Sequence, residues 1–540
     1  MPGKQRQSSA FRAGLVTLGA RYLRGRTAAA TELNPTQKLA AALAPASEVE
    51  IPKPRKTRYP ISLKEFERRK SDAVTVKRKL DRRGVTIVHD KKKGKQQEIA
   101  LRMMPATAAV GGGSPGAAAP TLTALSAFEG IPATTWLPPD CTMAAGPSHV
   151  IASVNSTIAV YAKTGGAPLL QRTLTAWFAN VSQNTTIFDP KLLYDQHAGR
   201  WVLLAVALGK ENQSFFLLSA SASSDPMGPW RNYALNAAKD GTTSTNNWAD
   251  YPGLGVDAQA IYLTANMFKV DGNFVYAKIR IVPKAAIYAG AAATFLDLVR
   301  MKNADGSFAF TVQPCHTFGA PQAAYFVNSL FPSGQELSIW SLTNPLTQPR
   351  LTRRRVAVPA YDLPPDAEQK GGATALDSGD VRILHAIFRG GSIWTALTTR
   401  HQWAGGNAAA VQWFQIDATT GGLVQQGIYG ADRRHYFYPA FAPDSNGNVI
   451  AVFCVSSPNE YASIYFSGRT ATDPVGELRP SLVLKAGTAS YVGLDSSGRN
   501  RWGDYCGIAS DPASGGNVWF YSMFAEAPNK WGTWIGSATT

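Results

Sequence analysis

From about residue 121 onward, short apolar stretches alternate with polar turns in a pattern that recurs at intervals of 49 to 67 residues. Each copy has a polar residue, a short apolar strand, a turn and a second, strongly apolar strand. The copies begin at Asp140, Asp189, Asp250, Gln313, Asp380, Phe437 and Asp504. Repeats of about 60 residues suit four antiparallel strands, and radial repetition of such sheets is typical of propellers. The pattern therefore predicts an all-β fold, a seven-bladed β-propeller.

Two pairs of segments support the repeat independently. Trp248–Leu254 (WADYPGL) resembles Trp502–Ile508 (WGDYCGI), and Tyr251-Pro252 recurs as Tyr438-Pro439. A propeller ring must also close on itself. We expect residues 122–128 (LTALSAF) to supply a strand to the last blade, beside residues 531–537 (WGTWIGS).

The first 120 residues differ from the rest of the chain. Residues 1–100 hold 24 Lys and Arg against 9 Asp and Glu, whereas the other 440 residues hold 30 against 28. The net charge of +17 therefore belongs to a basic, largely disordered N-terminal arm. We predict a charged helix over 62–83, a flexible linker at 111–120 (GGGSPGAAAP) and the propeller over 121–540. Through the arm alone, nucleic acid or an anionic surface is a candidate partner.

Neither a membrane span nor a clear export signal is recognisable. No run of 18 apolar residues occurs, so no transmembrane segment is predicted. The apolar part of the N-terminus is interrupted by Arg12 and Arg21, which makes it too short for the core of a secretory signal peptide. The N-terminal segment has no acidic residue before Glu32, and its composition fits either a disordered basic tail or a transit peptide.

Four cysteines lie far apart and form no CxxC pair, so a structural zinc site is not expected. Cys141 and Cys506 fall in the first and last units, which are neighbours in a closed ring, and we expect them to approach each other. Cys315 and Cys454 lie in the fourth and sixth units and should not pair. The disulfide state of all four stays open.

One turn segment resembles a known motif. Ser221–Trp230 (SASSDPMGPW) and Arg469–Leu478 (RTATDPVGEL) share Asp-Pro-x-Gly, and the first resembles the Asp-box turn of sialidase-type (BNR) propellers, with one residue of difference in the Asp-to-Gly spacing. The runs PPDCTMAAGPSHVIASVNS, FDPKLLYDQHAGRWV, DYPGLGVD and RWGDYCGIASDP resemble a group of bacterial, usually exported propeller proteins without an established activity. The resemblance implies the fold and export. The catalytic set of sialidases cannot be assigned to positions of this sequence.

The repeat places polar residues at equivalent points around the ring axis. Acids that open the innermost strands should gather at one mouth: Asp140, Asp189, Asp250, Asp380 and Asp504. Crowded carboxylates either have raised pKa values or recruit a cation, and a Ca²⁺ site at Asp140, Asp250 and Asp504 is one outcome. The alternative is structural, with each carboxylate accepting hydrogen bonds from backbone N–H groups of a neighbouring blade.

Aromatic and basic residues accompany these acids. Trp136, Trp248 and Trp502 precede three of them and either form a sugar-binding surface or pack between blades. Arg433 and Arg501 would add positive charge to the same mouth, and these ten residues, five acids, three tryptophans and two arginines, are the predicted ligand-binding set. The catalytic candidates are Asp250, Asp504, His435 and Tyr436, the last two as acid–base groups of a lyase.

Three functions compete for this sequence. The first is a binding or scaffold propeller that recognises a glycan or protein at one mouth. The second is a carbohydrate-active enzyme, a glycoside hydrolase or polysaccharide lyase that uses mouth acids. The third is a role of the basic arm on nucleic acid or a membrane surface. The first is preferred because no complete catalytic set is visible, and fold alone decides nothing about activity.

Overall fold

The computed structural model describes residues 122–540 apart from 184, 211–212, 270–272, 373 and 496–497, together with the backbone of strand β1 (Ser47–Glu48). Strand β1 pairs antiparallel with Thr352 and Arg353 of a propeller strand. The helix predicted over 62–83 and the linker at 111–120 lie outside the described residues.

The fold is an all-β propeller built of four-stranded antiparallel sheets. Four sheets have this form, and in three of them the chain runs from the inner strand outward. The first of these three comprises β3 (Thr142–Ala145), β4 (His149–Val154), β5 (Thr157–Ala162) and β6 (Leu170–Thr173). The second comprises β7 (Thr186–Asp195), β8 (Arg200–Leu208), β9 (Ser214–Ser221) and β10 (Trp230–Asn236). The third comprises β26 (His435–Pro443), β27 (Val449–Ser457), β28 (Glu460–Arg469) and β29 (Leu482–Lys485).

Two larger sheets contain the middle of the chain. A nine-stranded sheet joins two antiparallel runs through β18 (His316–Thr317), which pairs parallel with one strand of each run. Its runs are β13 (Asn247–Val256), β14 (Ala260–Lys269), β15 (Phe274–Pro283) and β16 (Leu296–Val299), then β22 (His385–Arg389), β23 (Ser392–Trp403), β24 (Gly406–Asp417) and β25 (Leu423–Tyr429). A five-stranded sheet holds β17 (Gln313–Pro314), β19 (Ala324–Ser329), β20 (Gly334–Thr343) and β21 (Arg350–Tyr361), with β1 at its edge.

The remaining elements are small. Strands β11 (Lys239–Asp240) and β12 (Thr243–Ser244) form a hairpin, and the described part of the chain has two short helices, α1 (Leu174–Trp177) and α2 (Lys284–Ala289). No helix among the described residues is long and apolar enough to cross a membrane.

The ring closes between the two ends of the folded region. Strand β2 (Thr123–Glu129) pairs antiparallel with β32 (Lys530–Thr539), and Phe128 lies opposite Ile535. The same sheet contains β31 (Val518–Ala527) and β30 (Gly507–Ser510). The predicted closing strand is therefore confirmed.

Innermost strands share a local distortion where they pass the ring axis. Asp140, Asp189, Tyr251, Thr311 and Tyr438 all have φ between 50° and 54°, a left-handed backbone that non-glycine residues rarely adopt. Strands β7, β13 and β26 are bulged at this point. In the third, fourth and sixth repeats the left-handed residue is not the one from which the repeat was counted. It follows Asp250 and Phe437 by one residue and precedes Gln313 by two.

The hydrophobic core lies between neighbouring sheets. Its largest wholly buried side chains include Trp201, Trp340 and Trp413. Backbones of adjacent sheets also approach closely, since a Cβ on Gly255 would lie 2.6 Å from the carbonyl oxygen of Cys315. Packing of this kind fixes the innermost strands in place, and with them the polar residues at the axis.

Candidate functional site

The repeat-opening aspartates converge at the centre of the ring. Burial raises the pKa of Asp140 to about 8, with a further rise from Asp504. Burial also raises the pKa of Asp189 well above its usual range, with Asp250, Asp140 and Asp504 adding to the rise. The pKa of Asp250 is raised to about 6, mainly by burial and against the opposing effect of Arg382. Asp504 contributes to the raised pKa of each of the other three because the four carboxyl groups lie near one another.

Three basic side chains lie among the acids. Arg382 makes a bidentate ion pair with Asp380, at 2.6–3.0 Å. Arg501 donates from Nη2 to both oxygens of Asp504, at 3.0 and 3.1 Å. Lys191 lies deeper, and burial lowers its pKa to about 7. We call these three residues, the five aspartates, Tyr251 and Tyr505 the central cluster.

Lys191 and Arg382 were not predicted as site residues. Each stands two residues after a repeat aspartate, Asp189 or Asp380, and is followed directly by two apolar residues. A base at this spacing in two repeats is a usable sequence signal.

Asn155 connects the first two sheets at the edge of the central cluster. Its Nδ2 donates to Oδ2 of Asp140 at 2.5 Å, and its Oδ1 accepts from the backbone N–H of Asp189 at 2.7 Å. Asp189 in turn accepts from the N–H of Tyr251 in the next sheet, at 3.2 Å. Asp189 thus makes the kind of backbone contact between sheets that was considered as the structural alternative. Oδ1 of Asp140 is buried without a hydrogen-bond partner among the described residues.

Two tyrosines contact each other beside the acids. The hydroxyl of Tyr251 donates to the carbonyl of Asp504 at 3.1 Å, and that of Tyr505 donates to the carbonyl of Pro190 at 3.0 Å. The two rings meet edge to face at 6.0 Å, and Nζ of Lys191 lies 2.9 Å from the centroid of Tyr505. A cavity of about 50 Å³ adjoins them, and its lining includes Lys191, Gln313, His316, His385 and Tyr505.

The predicted tryptophans do not form one surface. Trp502 is wholly buried and packs edge to face on Tyr491. Trp248 is half-buried against Phe268 and donates to the carbonyl of Lys269. Trp136 is half-buried, and its carbonyl accepts from the indole of Trp531. None of these contacts involves a carboxylate of the central cluster.

Within the described part of the chain, the residues predicted as acid–base groups of a lyase, His435 and Tyr436, make none of their contacts with the aspartates of the central cluster. His435 is buried and accepts from the backbone N–H of Ala409. Tyr436 is buried against Tyr429 and Phe453 in a sheet core. Arg433 is exposed on the preceding turn. Burial lowers the pKa of His435, so a charged imidazolium is disfavoured at this place.

Positive charge among the central carboxylates comes from Lys191, Arg382 and Arg501. Within the described ranges, no group of three or more His, Cys, Asp or Glu side chains has an arrangement that could hold a metal ion. Of the three residues suggested for Ca²⁺, Asp504 accepts from Arg501 and Asp140 accepts from Asn155.

All four cysteines are free and buried. Cys506 and Cys454 lie 3.0 and 3.4 Å from the same hydroxyl, Oγ of Ser522. Cys141 lies 3.9 Å from Sδ of Met523. The proximity of Cys454 to Cys506 had no signal in the sequence, because it depends on how two neighbouring sheets pack.

Both Asp-Pro-x-Gly segments lie between the third and fourth strands of their sheets. In the first, Asp225 accepts from the N–H of Met227, and the indole of Trp230 donates to the carbonyl of Pro226. In the second, Asp473 forms a bidentate ion pair with Arg479. Each segment therefore stabilises its own turn.

Comparison with known proteins yields no family model and no curated relative that matches this chain. Solved structures that resemble it include a GH93 α-L-arabinofuranosidase of Fusarium graminearum, at 10% identity over 76% of this chain and 97% of that chain, with a TM-score of 0.33. A Trypanosoma rangeli sialidase has 10% identity over 71% of this chain and 57% of its own, with a TM-score of 0.35. The WD40 domain of SCAP from fission yeast has 9% identity, coverage of 74% and 84%, and a TM-score of 0.30.

Proposed function

We propose that the protein is a seven-bladed propeller that binds a glycan at the mouth above the central cluster. The count of seven is supported by treating each antiparallel run of the nine-stranded sheet as one blade. The binding proposal depends on two Asp–Arg pairs that stay accessible. Side-chain exposures are 15% and 17% for Asp380 and Arg382, and 29% and 16% for Asp504 and Arg501.

Such pairs suit hydroxyl-rich ligands. Each guanidinium uses Nη2 on its carboxylate, while Nη1 of Arg382 and of Arg501 has no partner among the described residues. A fixed guanidinium can donate to one hydroxyl while the adjacent carboxylate accepts from the next. Because each Arg is already held by its Asp, little side-chain entropy is lost on binding.

The test is a glycan array with the full chain, followed by titration calorimetry of the best ligand against Arg382→Ala and Arg501→Ala. We expect each variant to weaken binding by about tenfold or more, since each removes a charge-assisted hydrogen bond. Arg400→Ala is a matched control, because Arg400 is an exposed arginine whose ion pair with Asp362 is long, at 3.5 Å. Full affinity in both mouth variants would refute the proposal.

A second function, carbohydrate hydrolysis, is favoured by one observation. Asp250 has a pKa raised to about 6 by burial, and the neighbouring Asp504 accepts two hydrogen bonds from Arg501. Two carboxyl groups in different environments are what a glycosidase uses as acid and as base or nucleophile. Hydrolysis would be established by two results together. The wild type releases reducing sugar from the array ligand, and Asp250→Asn binds the same ligand but releases none. Binding without release would leave the binding function alone.

The basic arm is proposed as a separable region, residues 1–120, joined to a propeller over 121–540. Its excess of Lys and Arg favours an anionic partner such as nucleic acid or a charged surface. Salt-sensitive binding to DNA by the full chain, absent after removal of the arm, is the expected result.

A further inference from the structure

A groove of about 470 Å³ lies on the outer rim, away from the ring axis. One wall comes from β6 and α1 of the first sheet, and the other from β10 and the turn before it in the second sheet. Trp177 and Trp230 meet edge to face in this groove, with ring centroids 5.0 Å apart. The volume falls in the range of ligand sites, about 300–1,000 Å³.

The two indole rings are held in fixed orientations. Nε1 of Trp177 donates to Oγ of Ser219 at 3.0 Å, and Nε1 of Trp230 donates to the carbonyl of Pro226 at 2.9 Å. Each ring thus uses its one polar atom within the protein, and both stay half-buried rather than packed away. Rigid aromatic surfaces of this kind contribute apolar contact area at low entropic cost.

Unpaired polar groups border the rings. Arg172 lines the groove and is exposed, and no carboxylate pairs with it among the described residues. The amide oxygen of Asn180 accepts from Asn232 at 2.9 Å, which directs the exposed Asn180 amide so that its NH₂ group stays free for a ligand. Among the described residues, those that line the groove include no Asp or Glu.

We propose that this rim groove binds an acidic oligosaccharide, with apolar sugar faces on Trp177 and Trp230 and an anionic group on Arg172. Charge complementarity favours an acidic over a neutral sugar, because Arg172 is the one ionised group among the described residues of the lining. A nucleic acid strand is the weaker fit, since strands are held by several cations along the phosphate backbone and the described lining supplies a single cation. The inference goes beyond the proposed mouth site and does not depend on it.

Titration calorimetry on the full chain tests the groove with trigalacturonate, sialyllactose and a heparin tetrasaccharide. The first two carry carboxylates and the third also carries sulfates, so the set shows which kind of acidic sugar binds. Methyl-esterified trigalacturonate and lactose are the matched neutral probes. We expect at least one acidic probe to bind and its neutral counterpart to bind about tenfold or more weakly. Arg172→Ala should weaken the acidic probe to the level of the neutral one, and Trp177→Ala should weaken both.

Arg400→Ala is the control for loss of an exposed arginine, and the melting temperature of each variant checks folding. Arg172→Ala changes only an exposed side chain, so it stays informative even where Trp177→Ala fails to fold. The proposal is overturned when no acidic probe binds, when acidic and neutral probes bind alike, or when Arg172→Ala binds as the wild type does. Loss of binding in Arg382→Ala but not in Arg172→Ala would move the ligand to the mouth and overturn the groove. Tighter binding of a single-stranded oligonucleotide than of any sugar, lost in Arg172→Ala, would assign the groove to nucleic acid instead.

Discussion

Replacing Asp140 by Asn tests whether the central cluster holds a protonated carboxyl group. Asp140 is almost fully buried, its Oδ2 accepts from Asn155, and its Oδ1 has no partner among the described residues. Burial raises its pKa from 3.8 to about 8. At neutral pH the folded protein therefore favours the neutral acid, which an Asn side chain imitates in shape and charge.

The sign of the pH effect follows from proton binding. In the folded state Asp140 keeps a proton between about pH 4 and pH 8, and Asp250 keeps one between about pH 4 and pH 6, that each loses on unfolding. The free energy of unfolding therefore decreases as pH rises through these ranges. Above about pH 7 the lowered pKa of Lys191 acts in the opposite direction. At about 1.4 kcal/mol per pKa unit the Asp140 shift has an upper limit of about 6 kcal/mol, and we expect about 1–3 kcal/mol because Arg501 and Lys191 relax around the carboxylate.

Thermal denaturation at pH 5 and pH 7 measures this effect. We expect the wild type to lose stability over this interval, and Asp140→Asn to lose less, so that the variant matches the wild type at pH 5 and exceeds it at pH 7. Asp225→Asn on an exposed turn is the control and should leave the pH dependence unchanged. Equal destabilisation by Asp140→Asn at both pH values would refute the reasoning, because it would mean that the ionised carboxylate is required.

Three other outcomes are expected. Asn155→Ala should lower the free energy of unfolding by about 3 kcal/mol, because it leaves a buried N–H of Asp189 and the carboxyl group of Asp140 without their partner. Denaturant titration measures this, and a change below about 1 kcal/mol would contradict it. The four buried thiols should resist an aromatic disulfide reagent in the native protein and react after denaturation, and rapid native labelling of Cys506 would show that its surroundings open. Limited proteolysis should yield a stable fragment that begins near residues 110–125 and stays folded, although it lacks the two-residue edge strand β1. Loss of folding on deletion to residue 120 would place the domain boundary elsewhere.

The repeat pattern predicted the class of fold, because strand–turn alternation is a local property of sequence. It also predicted the closing strand, since a ring leaves one partner for a terminal strand. Which residues occupy equivalent backbone positions in the different repeats was harder to predict from the sequence. Asp250 was taken as the counterpart of Asp140, whereas the left-handed backbone position belongs to Tyr251. Backbone conformation depends on the bulge and its cross-sheet hydrogen bonds, and these leave no periodic mark on the chain.

The composition of the site was harder to predict than its location. Acids that break an apolar repeat are visible because they interrupt a pattern, and all five of these aspartates belong to the central cluster. Trp502 and Tyr436 do not interrupt the apolar pattern. They were assigned to the mouth because polar residues flank them in sequence, but in the fold both side chains are buried among apolar residues. Trp502 lies in the core on Tyr491, because a wholly buried indole gains more from packing than from a place at a wet mouth.

Two tyrosines link separate parts of the ring beside the central carboxylates. Tyr251 donates to the carbonyl of Asp504 and Tyr505 donates to that of Pro190. Lys191 lies between these acids and the cavity: burial lowers its pKa, Asp189, Asp140 and Asp504 oppose this with a smaller rise, and its side chain lines the cavity. A ligand at the mouth that neutralises these acids should therefore lower the pKa of Lys191 further.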